Sequence, residues 1–279
     1  MTISRIKIWK MFTILFWIGI GAVTSLLLIA AIQRKDNNIC NGIEIQIRET
    51  GSPLFIDKND IRGMLTHMVP DIKGKPLSAF NLKQMEKTLE GNVWIQDAEL
   101  YFDNNEKLQV KIIERTPIAR IFTTEGRSYY IDKEFKRLPL SSRFSANIPV
   151  FTGCPLDNNQ WNISDSSALS QIKAISEWLM KDPFWMAQIE QITYTSAGTF
   201  ELSPKIGNHL IQLGDGFDLD NKFGKLFSFY KEVLSKVGWD TYSVINIQYN
   251  GQVVATRKDI ASPVIIVKTN QINDSIKTR

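Results

Sequence analysis

Cysteine and histidine are scarce: the 279 residues contain two of each. Cys40 and Cys154 are too few and too far apart for a disulfide-rich scaffold or a zinc site, and sequence alone leaves open whether they pair. His67 and His209 have no second histidine at i+4 and no thiolate nearby. The H-E-x-x-H, G-x-S-x-G and Walker patterns are all absent, so no metal, cofactor or nucleophile site is expected. A large excess of one charge is lacking too. The formal net charge is +4, and Arg5, Lys7 and Lys10 supply three units of it, leaving 30 basic against 29 acidic residues after residue 10. A nearly neutral body is not that of a nucleic-acid binder. Long hydrophobic runs are absent everywhere but one place, which excludes a polytopic membrane protein. With 43% hydrophobic and 22% charged residues, the remainder has an ordinary globular balance.

The one long run is Met11 to Ile32, 22 residues without a charge, 17 of them hydrophobic. As a helix it spans about 33 Å, against a bilayer core of about 30 Å. A cleavable signal peptide is the rival, but its apolar region is shorter, about 7–15 residues, and no A-x-A site follows here. The run is therefore expected to be an uncleaved transmembrane helix (11–32). Three positive charges precede it and two follow, a bias toward a cytoplasmic N-terminus. Residues 1–10 become a cytoplasmic tail, 33–41 a linker, and the rest lies on the other side of the membrane. Gly19 and Gly21 read as membrane-helix glycines, since no strand precedes them.

Beyond the linker, Ile43, Ile45 and Ile47 alternate with Glu44, Gln46 and Arg48, the period of a half-buried strand. Asp57, with Asp60 three residues on, caps a helix over 58–68. Asn81 caps a second helix carrying Leu82, Met85 and Leu89, closed by Gly91. A strand near Ala98–Phe102, a turn at Asp103-Asn104-Asn105 and a strand through Leu108, Val110 and Ile112 follow. The order strand-helix-helix-strand-strand predicts an α+β module with a small sheet backed by two helices. Further on, the pattern predicts a helix over 166–181 and strands at 189–194, 200–202 and 210–213. A helix from Leu219 to Val237, a strand from Val244 to Tyr249, a turn at Gly251 and a last strand through Val253, Val254 and Ala255 complete it.

The stretch WIQDAELYFDNNEKLQVKIIERTPIARI resembles the end of a POTRA domain in the FtsQ and DivIB bacterial division proteins. Trp94, Ile95, Ala98, Val110, Ile112, Glu114, Arg115, Pro117 and Ala119 carry the likeness. It continues through YYIDKEFKRLPL, through Ile148 to Gly153, and through the VINIQY segment, so that it covers roughly residues 5–258. Asn246 and Gln248 stand where the family has aspartate and arginine, no tryptophan follows in the final strand, and Leu156–Ser166 is longer than the family's connection. The resemblance implies a POTRA domain (42–118) and a β-rich domain with packed helices (119–265) behind a single N-terminal transmembrane helix, and the polar composition of the last residues predicts a mobile tail (266–279).

A membrane-anchored division protein invites the thought of a transpeptidase, and Ser170-Gln171-Ile172-Lys173 fits S-x-x-K. Ser4–Lys7 and Ser228–Lys231 fit it as well, and Ser170 falls inside an amphipathic helix, so the pattern carries no enzyme assignment. What remains is interaction. Sheet edges carry unpaired N–H and C=O groups to which another chain can add a strand. The resemblance implies that a small coiled-coil membrane protein of the FtsB/FtsL (DivIC) type docks on the final strand, and that the septal peptidoglycan synthase complex is a further partner. Tyr249 and Gly251 correspond by position to family contact residues; Val253 and Ala255 are added from edge geometry. Glu114, Arg115 and Pro117 read either as a contact surface or as a brace where the modules join. The expectation is a non-catalytic divisome scaffold of the inner (plasma) membrane at the division septum, without cofactor. The alternative is a POTRA-type chaperone for translocated or outer-membrane proteins, disfavoured because neither further POTRA repeats nor a barrel follow.

Overall fold

The computed structural model describes residues 15–27, 38–48, 55–158 and 161–258. The expected tails, 1–10 and 266–279, lie outside these residues. A helix, α1 (residues 15–27), is exposed along its whole length; Leu15, Phe16 and Trp17 are each more than 60% exposed. The rest of the expected span, 11–14 and 28–32, lies outside the described residues. Among the described residues no helix is long and apolar enough to cross a membrane.

The chain after α1 forms two compact units. The first comprises the chain to Pro117 together with Tyr129–Asn147. Its strands are β1 (Gly42–Arg48), β2 (Ile95–Phe102) and β3 (Lys107–Glu114), its helices α2 (Lys58–Met68) and α3 (Leu82–Glu90). The sheet order is β1-β3-β2, with β1 parallel and β2 antiparallel to the central β3. Ile45, Leu100, Leu108, Val110 and Ile112 are buried with Ile61 and Leu65 of α2 and Met85 and Leu89 of α3, which gives the core that the alternating and helical apolar spacings require. The expected caps form. Oδ1 of Asp57 accepts the backbone N–H of Asn59 and Asp60, and Asp60 reaches back to the N–H of Asp57, a capping box. Asn81 accepts the N–H of Gln84. Strand β2 begins at Ile95, earlier than expected. Strand β3 ends at Glu114, ahead of Pro117.

Residues Tyr129–Asn147 belong to this first unit and contain all but the first residue of the hairpin β5 (Ser128–Asp132) and β6 (Arg137–Leu138). They close over an aromatic stack. Phe55 lies flat on Trp94 with ring centroids 4.0 Å apart and planes 9° from parallel, and Phe144 and Tyr130 meet Phe55 edge-on at 5.1 and 5.8 Å.

The second unit is Ile118–Ser128 with the chain from Ile148 onward. Its strands are β4 (Pro117–Thr123), β7 (Val150–Cys154), β8 (Ile189–Tyr194), β9 (Phe200–Pro204), β10 (Leu210–Gly214), β11 (Tyr242–Asn246) and β12 (Val254–Arg257), in the sheet order β12-β11-β10-β9-β8-β7-β4. Three helices accompany them: α4 (Ile163–Lys181), α5 (Pro183–Gln188) and α6 (Leu219–Phe229). Helix α4 starts inside the polar stretch read as an insertion, because Asn162 and Asp165 form a second capping box. Helix α5 was not expected; Asp182 caps it and Pro183 takes its first position. The helix expected over 219–237 is continuous but changes winding. A π-type turn, Tyr230–Leu234, separates α6 from the short α7 (Ser235–Val237). The side chains between the helices are aromatic: Trp178 stacks on Phe223 at 4.2 Å, and Trp185 touches both Phe223 and Tyr230. Cys40 and Cys154 are both buried free thiols.

Candidate functional site

The second sheet ends at β12, a strand of four residues paired antiparallel with β11 from Asn246↔Val254 to Tyr242↔Arg257. Among the described residues nothing pairs with its other side. The expected site residues fall around its start. Ala255 lies in β12, partnered with Ile245. Val253 immediately precedes the strand, and Tyr249 and Gly251 lie in the turn before it, not in a strand. The physical reason is local. Asn246 ends β11, and its side-chain carbonyl accepts the backbone N–H of Gln248 at 3.0 Å, which bends the chain out of the ladder. Its amide group donates to Gln212 on β10 at 2.8 Å. Gly251 then takes a φ of +72°, a conformation few other residues adopt without strain.

The turn presents apolar surface. Tyr249 is 47% and Val254 45% exposed, so neither is a core-facing strand residue. Val253 and Ala255 are half-buried. Beside them runs a groove of about 560 Å³, lined by Phe229, Val233 and the charged Asp220, Lys225 and Glu232 on the α6 side and by Gly251 and Val253 on the other. Below the turn, Gly214 at the end of β10 has a φ of +77°, and a Cβ there would stand 2.9 Å from that of Gln248. Lys225 of α6, which sequence reading did not single out, donates from Nζ to the carbonyls of Ile247, at 3.3 Å, and Tyr249.

Two stretches match known families. Residues 38–113 match a POTRA-like domain. Residues 116–256, half of the chain, match the family described as FtsQ/DivIB, C-terminal related. The chain belongs to the FtsQ/DivIB family. No curated protein matches it. Membership places the chain among proteins of cell division, in a family without enzymatic activity.

The FtsQ/DivIB signature at the end of the POTRA-like unit takes on a definite meaning in the structure. Glu114 is only 4% exposed, so it is no part of a contact surface. Its Oε1 accepts the backbone N–H groups of Phe55 and Ile56, at 2.6 and 2.9 Å, and so anchors the approach to α2. Burial pushes its carboxyl above the ordinary glutamate range, while those two hydrogen bonds pull it back. Arg115 spans Asp132 and Glu134, both at 2.8 Å, and Asp132 also accepts the N–H groups of Glu134 and Lys136. The pair therefore braces elements of the first unit against each other.

The residues weighed for chemistry stand apart from the edge. Ser170 is exposed on α4, and its hydroxyl donates to the Ser167 carbonyl of the same helix at 2.9 Å. His209 is buried and shares a 3.0 Å hydrogen bond with the Tyr230 hydroxyl, and burial lowers its pKa. His67 is exposed in the last turn of α2. Among the described residues no group of three or more His, Cys, Asp or Glu could hold a metal ion.

Proposed function

We propose that the chain is a non-catalytic, bitopic scaffold of the divisome that joins its partners by strand addition at β12. The observation that carries this reading is the unpaired side of β12, with Tyr249 and Val254 standing exposed beside a groove that Phe229, Val233 and Val253 help to line. A sheet edge with unpaired N–H and C=O groups can accept a further strand. Here the edge strand is short, and its turn offers an aromatic anchor of the kind that concentrates binding energy. A small coiled-coil membrane protein of the FtsB/FtsL or DivIC type is the proposed partner. The septal peptidoglycan synthase complex is reached through it or through the POTRA-like unit.

The scaffold is proposed to be held by a helix of residues 11–32, with residues 1–10 in the cytoplasm and both units outside the inner membrane. The uniformly exposed apolar surface of α1 supports this. So do the hydroxyls of Thr24 and Ser25, which donate to carbonyls of Ile20 and Gly21 in their own helix, as a lipid environment favours.

Depletion of the protein in its native host, with a fluorescent fusion restoring it, tests the reading. Filamentous cells on depletion and a midcell signal from the fusion are expected. Normal septation, or a signal spread evenly around the envelope, would overturn it.

A further inference from the structure

We propose that Lys225 is a positioning residue for the binding edge: its ammonium group fixes the path of residues 247–253 and thereby where β12 begins. The importance of this to partners rests on the strand-addition reading above; the local geometry does not.

Between the end of β11 and the start of β12 the chain has few backbone bonds to hold it. The Ile247 N–H donates to Gln212 at 3.0 Å, and the Gln248 N–H is taken by Asn246. The carbonyls of Ile247 and Tyr249 point to the Nζ of Lys225 instead. Lys225 is half-buried on α6, between Gly224, which leaves open space, and the buried Leu226. Its stem crosses from the helix to the turn, and one nitrogen gathers two carbonyls separated by two positions in the chain. A lysine ammonium suits this, because it is a compact charge with three donors, whereas a planar guanidinium would not converge on both oxygens in the same way. Hydrogen bonds from a charged donor are the stronger class. Tyr249, Gly251 and Val253 all depend on this stretch for their position, so one helical side chain sets the orientation of three of the four edge residues.

The test is hydrogen–deuterium exchange on the full chain in lipid nanodiscs. Lys225→Met keeps the apolar stem and removes the charge. It should raise exchange about tenfold at the Ile247 and Gln248 amides and in β12, the loss of roughly one charge-assisted hydrogen bond, with β9 and α4 unchanged. Lys225→Cys should do the same, and alkylation with 2-bromoethylamine, which rebuilds an ammonium at nearly the same reach, should restore slow exchange. The native thiols, Cys40 and Cys154, are buried and leave the new one as the accessible target. Unchanged exchange in Lys225→Met, or failure of aminoethylation to restore protection in Lys225→Cys, would overturn the proposal. Should Lys225→Met fail to fold, the cysteine variant before and after alkylation decides alone. A photo-crosslinker at Thr256 distinguishes the two readings. A crosslink that survives blocking of the β12 edge removes the strand-addition reading, while the exchange result still decides the role of Lys225.

Discussion

Glu114 accepts the backbone N–H of Phe55 at 2.6 Å, joining the end of β3 to a residue 59 positions earlier in the chain. The same oxygen holds Ile56. Replacing Glu114 by alanine leaves two buried donors without an acceptor, and a loss of about 3 kcal/mol of stability is expected. Glutamine keeps an acceptor oxygen and should cost much less. The pH dependence separates charge from bonding. Because burial raises the folded-state pKa of Glu114, the folded chain binds its proton more tightly than the unfolded one. Its contribution therefore becomes less favourable as pH rises from the ordinary glutamate value through the raised one, and this loss is complete above it. Chemical denaturation at a series of pH values should show Glu114→Gln gaining on the wild type as pH rises above the ordinary glutamate value, about 4.3.

Two arginines of the first unit should behave differently. The side chain of Arg115 is 16% exposed and that of its partner Asp132 is 6% exposed. Arg115→Ala strands a buried carboxylate, softened by the two N–H groups that Asp132 retains, and a cost of about 2–3 kcal/mol is expected. Arg143 meets Asp60 at a similar 2.8 Å but is 62% exposed. Arg143→Ala should cost far less than Arg115→Ala, and what it does cost should shrink in high salt. Equal losses in paired denaturation curves would contradict the role assigned to Arg115.

Gly214→Ala tests the support beneath the turn. The substitution places a side chain at a φ of +77° and 2.9 Å from Cβ of Gln248. A destabilisation of about 1–3 kcal/mol is expected. Chemical-shift changes should be centred on residues 246–251.

Successive N–H groups along a strand point to opposite sides, so of Val254 and Ala255 one donates toward β11 and the other away from it. Val254→Pro and Ala255→Pro should therefore diverge. One breaks the ladder with β11 and lowers stability. The other leaves the fold intact and abolishes strand addition. Tyr249→Ala should weaken association while shifting stability by no more than about 0.5 kcal/mol, since the ring is 47% exposed. Partner crosslinking that persists in both proline variants would exclude pairing at β12.

The first unit was legible because its signals are short-range and strong. Asp57 with Asp60, Asn81 with Gly91, and the isoleucines of β1 each specify an element without help from afar. The edge was legible in existence but not in its boundaries. The pattern VINIQY continues the alternation of β11 to Tyr249, yet the side chain of Asn246 captures the next-but-one N–H and ends the strand early. Helix α5 is only six residues long, too short for a periodic signal. The role of Lys225 had no sequence signature at all: a lysine on a helix reads as a solvated charge until the turn it holds, more than twenty residues later, is placed beside it.

The chain contributes to the first unit, leaves it at Pro117, returns for Tyr129–Asn147 and leaves again. During synthesis the POTRA-like unit therefore cannot be finished when its last sheet strand emerges. Phe144, which closes the stack on Phe55, and Asp132, which receives Arg115, arrive only after the opening strand of the next unit has already been made. The two units must mature in an overlapping order, and a single cut between residues 117 and 118 would separate the first unit's sheet and helices from the Tyr129–Asn147 segment that completes it, which stays on the other fragment.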